Sequence, residues 1–350
     1  MKKLLLCLCA VALFGCKEDP KEEPAKDYVT FAGKIENPNS DSLFVYLGRD
    51  WSKTIKVAPD GTFKDTFKIA EPNMYGFYDG SESSSLFLKN GYDLNLTLNT
   101  EEFDETIAYT GEGAVSNNFL AEKSRFEEKI FDVDALSDLD STAFVSKIAV
   151  IKSDLNNFYN SNKEVDSIVI AKSNESLEPM VKSFSQYINQ KIALKKALPK
   201  GSESPSFKDY ENYAGGKMSL NDLKGKYAYL DIWATWCGPC KAEIPALKEL
   251  DEAYKDKNIQ FVSISIDDER AHKGSMEKAH EAWMAMVKDK ELTGVQLMAP
   301  KGWESQFIRD YQINGIPRFI LLDPEGKIVT ADAPRPSSPK LKELFGSLGI

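Results

Sequence analysis

Two cysteines separated by two residues form the part of the sequence best suited to chemistry. Cys237 and Cys240 lie in the stretch WATWCGPCKAEIP, with Gly238 and Pro239 between them. Such a pair can be a redox couple, part of a metal site or a structural staple. A zinc site usually needs four ligands, but the chain has only two histidines and its other three cysteines precede residue 17. A two-residue gap closes too short a loop for a stabilising cross-link, so a redox pair is the leading interpretation.

The other three cysteines lie in a segment typical of bacterial export. Two lysines precede an apolar run that is too short to anchor a protein across a bilayer. The run ends in LFGC, which resembles a lipobox, where the peptide is cut before the cysteine and the sulfur carries a diacylglyceryl group. We therefore expect residues 1–15 to be a lipoprotein signal peptide and Cys16 to be lipidated. An ordinary signal sequence with a chance cysteine is the alternative.

Length and charge describe an acidic globular protein with at least two domains. The formal charge of the chain is -10, and removing the two lysines of residues 1–15 brings it to -12. This balance argues against nucleic acid as a partner and against a polybasic membrane contact. Residues 16–27 are charged, contain proline and lack large apolar side chains, which predicts a disordered tether.

The middle of the chain predicts two kinds of structure. Residues 28–110 contain short alternating apolar runs separated by turn signals, which predict a small all-β sandwich or barrel. Its strongest hairpin turns are predicted at Asp60-Gly61 and Asn90-Gly91. Residues 111–200 have the longer period of amphipathic helices, with VDSIVIAKSN and MVKSFSQYINQKIALKKAL as separate helices, and predict a helical connecting segment.

Strands and helices alternate over residues 205–350 and predict an α/β domain built around one sheet. YAYLDIW is predicted as a buried strand that leads into the cysteine motif, and a helix is predicted from Cys240 to about residue 256. RFILLD and KIVTA are predicted to form a hairpin. A last helix is predicted after Ser338, with proline at its first position.

The motif WATWCGPC on a predicted strand-to-helix turn resembles thioredoxin. SLNDLKGK before the strand, the insertion around Trp283 and the stretch GIPRFILLDPEGKIV are similar to the membrane-anchored thiol:disulfide oxidoreductases of the TlpA and ResA type. The lipobox and the β domain ahead of this part resemble the versions found in Bacteroidetes. The resemblance implies a thioredoxin-like fold over residues 205–350 and says little about residues 28–200.

The resemblance implies that Cys237 attacks a substrate disulfide and that Cys240 resolves the mixed disulfide. A thiolate is the nucleophile in this exchange, and a low thiol pKa makes one available near neutral pH. Cys237 is predicted at the start of a helix, where unpaired N–H groups and the helix dipole stabilise an anion. No metal is expected, and no cofactor besides the Cys237–Cys240 disulfide.

The same family implies roles for further residues. Asp231 matches a buried acid that moves protons to and from the resolving cysteine; a surface acid at a strand end is the alternative. Glu243 matches an acid of ResA-like proteins, or it is a carboxylate that merely favours the helix N-terminus. Pro317 matches a proline after a cis peptide bond, or it is an ordinary trans proline. The predicted substrate contacts are Trp236, which would cover the motif, Gly238, Pro239, the Ile316 backbone and Pro317.

These residues predict an enzyme that reduces disulfides of cell-envelope proteins with electrons from a membrane thiol donor. It is expected to face the periplasm, held by lipid at Cys16 to the outer membrane, with cell-surface exposure as a further option. The alternative is an envelope partner-binding lipoprotein with an accessory redox domain. A disulfide oxidase or isomerase also stays open, because the Gly-Pro pair does not fix the direction of electron flow.

Overall fold

The computed structural model describes residues 26–350. The predicted signal peptide, Cys16 and nearly all of the predicted tether lie outside the described residues. Contacts divide the chain into two compact units. The first comprises residues up to Asp132 together with Lys147–Lys182, and the second comprises Val133–Ser146 together with Ser183–Ile350.

Eight strands of the first unit form two four-stranded sheets within the described residues. They are β1 (Val29–Glu36), β2 (Ser42–Leu47), β3 (Trp51–Lys56), β4 (Thr62–Phe67), β5 (Asn73–Tyr78), β6 (Ser83–Leu88), β7 (Asp93–Asn99) and β8 (Ala108–Gly111). The sheet orders are β4-β1-β7-β8 and β3-β2-β5-β6. Phe31 from one sheet and Phe77 from the other are fully buried in a single hydrophobic core. The predicted sandwich or barrel is therefore a sandwich.

The two glycine turns predicted as hairpins connect different sheets instead. Gly61 and Gly91 have φ values of 81° and 101°, which allow the sharp reversal that the sequence predicted. However, β3 and β4 on either side of Gly61 lie in different sheets, as do β6 and β7 around Gly91. The hairpin predictions were wrong because a turn signal fixes a reversal of the chain and not the strand with which the next strand pairs.

Residues 111–200, predicted as one helical segment, are divided between the two units. The helices from the end of the sandwich onward are α1 (Phe103–Thr106), α2 (Ala114–Ile130), α3 (Val133–Ser137), α4 (Ser141–Tyr159) and α5 (Ser167–Ala197). The predicted break before MVKSFSQY is wrong, because α5 continues for 31 residues with Pro179 inside it. Leu177 and Val181 are buried on either side of that proline, and their packing offsets the hydrogen bond that proline removes. In the part of the chain described here, no helix is both long and apolar enough to cross a bilayer.

The second unit contains one mixed sheet with cores on both faces. Its strands are β9 (Tyr210–Asn212), β10 (Lys217–Met218), β11 (Tyr227–Trp233), β12 (Ile259–Ser265), β13 (Val295–Met298), β14 (Arg318–Leu322) and β15 (Ile328–Thr330), in the order β10-β9-β13-β12-β11-β14-β15. Leu230 of β11 faces one hydrophobic cluster and Tyr229 the other. Its later helices are α6 (Gly238–Ala253), α7 (Met276–Asp289), α8 (Gln306–Asp310) and α9 (Pro339–Ser347). The predicted α/β architecture is confirmed.

Strand pairing determines at which edge of this sheet each loop lies. β11 runs parallel to β12, with Trp233 opposite Ser265, and antiparallel to β14, with Ile232 opposite Arg318. The residues that follow β11 and β12 therefore emerge at the same edge of the sheet as the residues that precede β14. β14 and β15 form the predicted hairpin. Two chain segments that are distant in sequence, after β12 and before β14, thus lie at the same edge of the sheet as the cysteine motif.

Candidate active site

Cys237 and Cys240 lie where β11 leads into α6. The helix begins at Gly238, two residues earlier than predicted, so Cys237 is its N-cap residue and Pro239 lies in its first turn. The Cys237 sulfur accepts a hydrogen bond from the Cys240 backbone N–H at 3.1 Å. The two sulfurs are joined in a disulfide, with 5.3 Å between the Cα atoms. The predicted placement of Cys237 at a helix N-terminus is confirmed.

Exposure does not distinguish the two sulfurs, but position on the helix does. Cys237 is 4% exposed and Cys240 is 5% exposed. In the reduced protein, a thiolate on Cys237 would face the unpaired N–H groups of the first turn and the positive end of the helix dipole. These interactions favour ionisation of Cys237 over Cys240, which lies inside the helix.

Asp231 is buried in the middle of β11, the central strand of the site. Its neighbours Leu230 and Ile232 are fully buried, and its carboxylate accepts a hydrogen bond from Ser263 Oγ on β12 at 3.3 Å. Burial raises the pKa of the Asp231 carboxyl from 3.8 to about 7; the Ser263 hydrogen bond opposes this rise and the charge of Glu243 adds to it. The alternative of a surface acid at a strand end is therefore wrong.

A small cavity connects Asp231 with Cys240. Its volume of about 10 Å³ is roughly enough for one water molecule, and it is lined by both residues together with Trp233 and Gln296. Trp233 Nε1 and Gln296 Oε1 are buried and lack a hydrogen-bond partner within residues 26–350. A water in this cavity can carry a proton between the carboxyl and the resolving sulfur. Gln296 could not be predicted from the sequence, because only the sheet order brings β13 to this place.

A second buried carboxylate holds the backbone just ahead of the motif. Asp267 is fully buried and accepts hydrogen bonds from Thr235 N at 3.0 Å, from Thr235 Oγ1 at 2.6 Å and from Ser265 Oγ at 2.6 Å. His272 Nε2 lies 2.7 Å from the same carboxylate. Sequence analysis missed this network. A signal was present: Thr235 follows the predicted strand YAYLDIW by two residues, and Asp267 directly follows the apolar run IQFVSISI.

Glu243 is buried on α6 and binds a loop rather than the helix end. Ser337 donates to its carboxylate from both its backbone N and its Oγ, each at 3.0 Å. Arg335 Nη1 lies 3.7 Å from the same group. This contact fixes the loop ahead of α9 against α6. A catalytic role for Glu243, as the resemblance to ResA-like proteins implies, stays a prediction.

The structure supports some of the predicted substrate contacts and leaves others as predictions. The peptide bond between Ile316 and Pro317 is cis, as predicted. The Ile316 N–H and carbonyl make no hydrogen bond to another backbone group in the described range, which leaves them available to a substrate strand. Gly238 and Pro239 are exposed beside Cys237. Trp236 is 44% exposed and its ring lies 6.5 Å from that of Trp303, so its covering of the motif stays a prediction.

Comparisons with known proteins bear on the second unit. A family model described as Redoxin matches residues 199–345. The thiol-disulfide oxidoreductase ResA of Bacillus subtilis (strain 168) is 28% identical over 141 residues, which cover 40% of this chain and 71% of ResA. The thioredoxin-like protein YneN of the same organism is 33% identical over 131 residues, which cover 37% of this chain and 69% of YneN. A solved thiol-disulfide oxidoreductase from Bacteroides fragilis is 31% identical and covers 41% of this chain and 99% of its own, with a TM-score of 0.34.

Proposed function

Because the chain belongs to the TlpA/ResA-type family of thioredoxin-like proteins and is a thiol:disulfide oxidoreductase, we propose that it reduces disulfide bonds in proteins of the cell envelope. One observation carries the proposal: Cys237 caps α6 and is joined to Cys240 in a disulfide. The free backbone of Ile316 before the cis proline supports a polypeptide as the substrate, because an extended chain can pair with it.

The proposed cycle moves two electrons. The Cys237 thiolate attacks one sulfur of the substrate disulfide, forms a mixed disulfide and expels the other sulfur as a thiolate, which takes up a proton. Asp231 then accepts the proton of Cys240 through the water-sized cavity. The Cys240 thiolate attacks the Cys237 sulfur, closes the Cys237–Cys240 disulfide and releases the reduced substrate. A membrane thiol donor returns the pair to its dithiol form.

The direction of the exchange is tested by the reduction potential. We expect the chain without residues 1–16 to equilibrate with thiol buffers at a potential nearer to the roughly -270 mV of a reducing thioredoxin than to the roughly -120 mV of a strong oxidase. The measurement is the fraction of Cys237–Cys240 disulfide across a series of glutathione or dithiothreitol buffers. Cys237→Ala, which cannot form the disulfide, is the control for this measurement. A potential near the oxidase value would favour the oxidase alternative.

We further propose that lipid on Cys16 holds the enzyme in the cell envelope, facing the periplasm at the outer membrane. The acidic balance of the chain leaves the lipid as the membrane contact, since it disfavours binding to anionic lipid. A single acyl chain binds a membrane only marginally, so the additional chains of a diacylglyceryl group give a stable anchor.

Cys16→Ala should abolish labelling by fatty acid and remove the protein from the membrane fraction, or leave it as an unprocessed precursor. Fractionation and metabolic labelling measure both effects. Cys9→Ala is a matched control, because it removes a cysteine from the same segment without touching the lipidation position. Unchanged membrane association of the Cys16 variant would rule out this anchor.

A further inference from the structure

A cavity of about 530 Å³ lies in the second unit beside the cis proline. Pro317 lines it together with Arg318, at the start of β14, and α5 contributes Lys191 and Leu194. Because Arg318 is opposite Ile232 in β11, the chain just before Arg318 lies at the edge of the sheet from which the cysteine motif emerges. A substrate strand paired with the Ile316 backbone would therefore pass this cavity.

Positive charge is concentrated around the cavity although the chain as a whole is acidic. Its charged lining residues are Lys191, Arg318, Arg335 and Asp332. Asp332 is paired with Lys191 Nζ and lies 3.7 Å from Arg318 Nε. Even when Glu243, 3.7 Å from Arg335, is included, the three cations outnumber the two carboxylates.

The two arginines also have hydrogen-bond donors to spare. A guanidinium carries five N–H donors and no acceptor. Arg318 donates to the Ala331 carbonyl at 3.5 Å, whereas Arg335 donates no hydrogen bond to any residue in the described part of the chain. Their carboxylate contacts at 3.7 Å are longer than hydrogen bonds. The cavity can therefore take up a charged acceptor, and a carboxylate fits the donor fork of arginine.

We propose that this cavity binds a carboxylate of the substrate polypeptide, so that the enzyme prefers disulfides with an acidic group close to the reacting cysteine. The proposal rests on the proposed reduction of protein disulfides. The carboxylate can belong to an aspartate or glutamate side chain or to the C-terminus of the substrate. Arg318 and Arg335 are the residues that would recognise it, and neither takes part in the electron transfer.

Three disulfide-bonded peptides of one length test the proposal with the chain lacking residues 1–16. The first carries a glutamate near one cysteine and an amidated C-terminus, the second has glutamine in that place, and the third has glutamine and a free C-terminal carboxylate. We expect kcat/KM for a carboxylate peptide to exceed that for the neutral peptide by about tenfold, as expected for hydrogen bonds to a charged group. Preference for the first or the third peptide supports the proposal and identifies the source of the carboxylate.

Substitutions test whether the two arginines of the cavity cause the preference for carboxylate peptides. The quantity to compare is the ratio of kcat/KM for the preferred carboxylate peptide to kcat/KM for the neutral peptide. Arg318→Gln and, separately, Arg335→Gln should bring this ratio close to one, whereas Lys196→Gln should leave it unchanged. Lys196 is an exposed cation on the same helix as Lys191 and does not line the cavity. Arg335 is exposed, so its replacement tests the proposal even if Arg318→Gln fails to fold. Equal rates for charged and neutral peptides, or a ratio that survives both arginine substitutions, would overturn the carboxylate site alone. Failure to reduce any of the three peptides would overturn the proposed function as well.

Discussion

Cys240→Ala should trap a covalent complex between Cys237 and its substrate in the cell envelope. The first attack needs only the Cys237 thiolate, which the N-terminus of α6 stabilises both in the parent chain and in the Cys240→Ala variant. The second attack needs Cys240, so the mixed disulfide has no intramolecular route to release. The complex should appear as a higher band on non-reducing electrophoresis, disappear on addition of a thiol and identify the substrate by mass spectrometry.

Cys237→Ala is the matched control for this experiment, since it removes the other sulfur of the same disulfide. It should trap nothing, because Cys240 lies inside the helix and lacks the anion-stabilising position at its start. If Cys16 is lipidated, no other thiol of the exported chain could form such a band. Trapping by Cys237→Ala and not by Cys240→Ala would reverse the two roles. The absence of a complex in both variants would favour the partner-binding alternative.

The chemistry of the motif could be predicted because it depends on residues that are neighbours in sequence. The apolar run YAYLDIW, followed by Gly238 and Pro239 between the cysteines, predicts a buried strand and a helix start without knowledge of the rest of the fold. The position of Asp231 six residues before Cys237 implied a buried acid only through the family resemblance. The structure adds the burial that shifts its pKa.

The surroundings of the motif could not be predicted in the same way, because they depend on strand order and long-range packing. Thr235 and Asp267 meet because β11 and β12 are parallel neighbours in matched register. Gln296 reaches the water-sized cavity because β13 lies next to β12. Lys191 comes to Arg318 only because α5 continues past Pro179, where the sequence predicted separate helices. The two misassigned glycine turns have the same cause, since local geometry does not choose the partner strand.

The buried carboxyl of Asp231 should reduce the stability of the protein at neutral and alkaline pH. Its pKa is about 7 in the folded chain and 3.8 without burial. Between these values the folded state keeps a proton that the unfolded state has lost, so the free energy of unfolding falls as pH rises. The difference corresponds to about 4 kcal/mol once pH exceeds 7, and it vanishes below pH 4. Asp231 therefore lowers the stability of the folded protein at neutral pH, which is not expected of a residue with a purely structural role.

Asp231→Asn should consequently make the oxidised protein more stable at pH 8, by up to about 4 kcal/mol, and leave its stability near pH 4 almost unchanged. The same substitution should slow the attack of Cys240 on the mixed disulfide by about a hundredfold near pH 7, since it removes the base that takes the proton. The rate of this step in the parent chain should rise with an inflection near pH 7, and the variant should lack that inflection. Denaturant unfolding at several pH values and stopped-flow measurement of substrate release test the two halves separately.

Asp267→Asn provides the matched control, because it neutralises another buried carboxyl that does not line the cavity with Cys240. The Asp267 carboxylate accepts hydrogen bonds from Thr235 and Ser265, so its loss should destabilise the protein at pH 8 instead of stabilising it. Opposite effects of the two substitutions on stability, with loss of the inflection only in Asp231→Asn, would assign proton transfer to Asp231. A stabilised Asp231→Asn protein that releases substrate at the parental rate would show that the carboxyl is buried without serving the exchange, and the proton of Cys240 would then have to leave by another route.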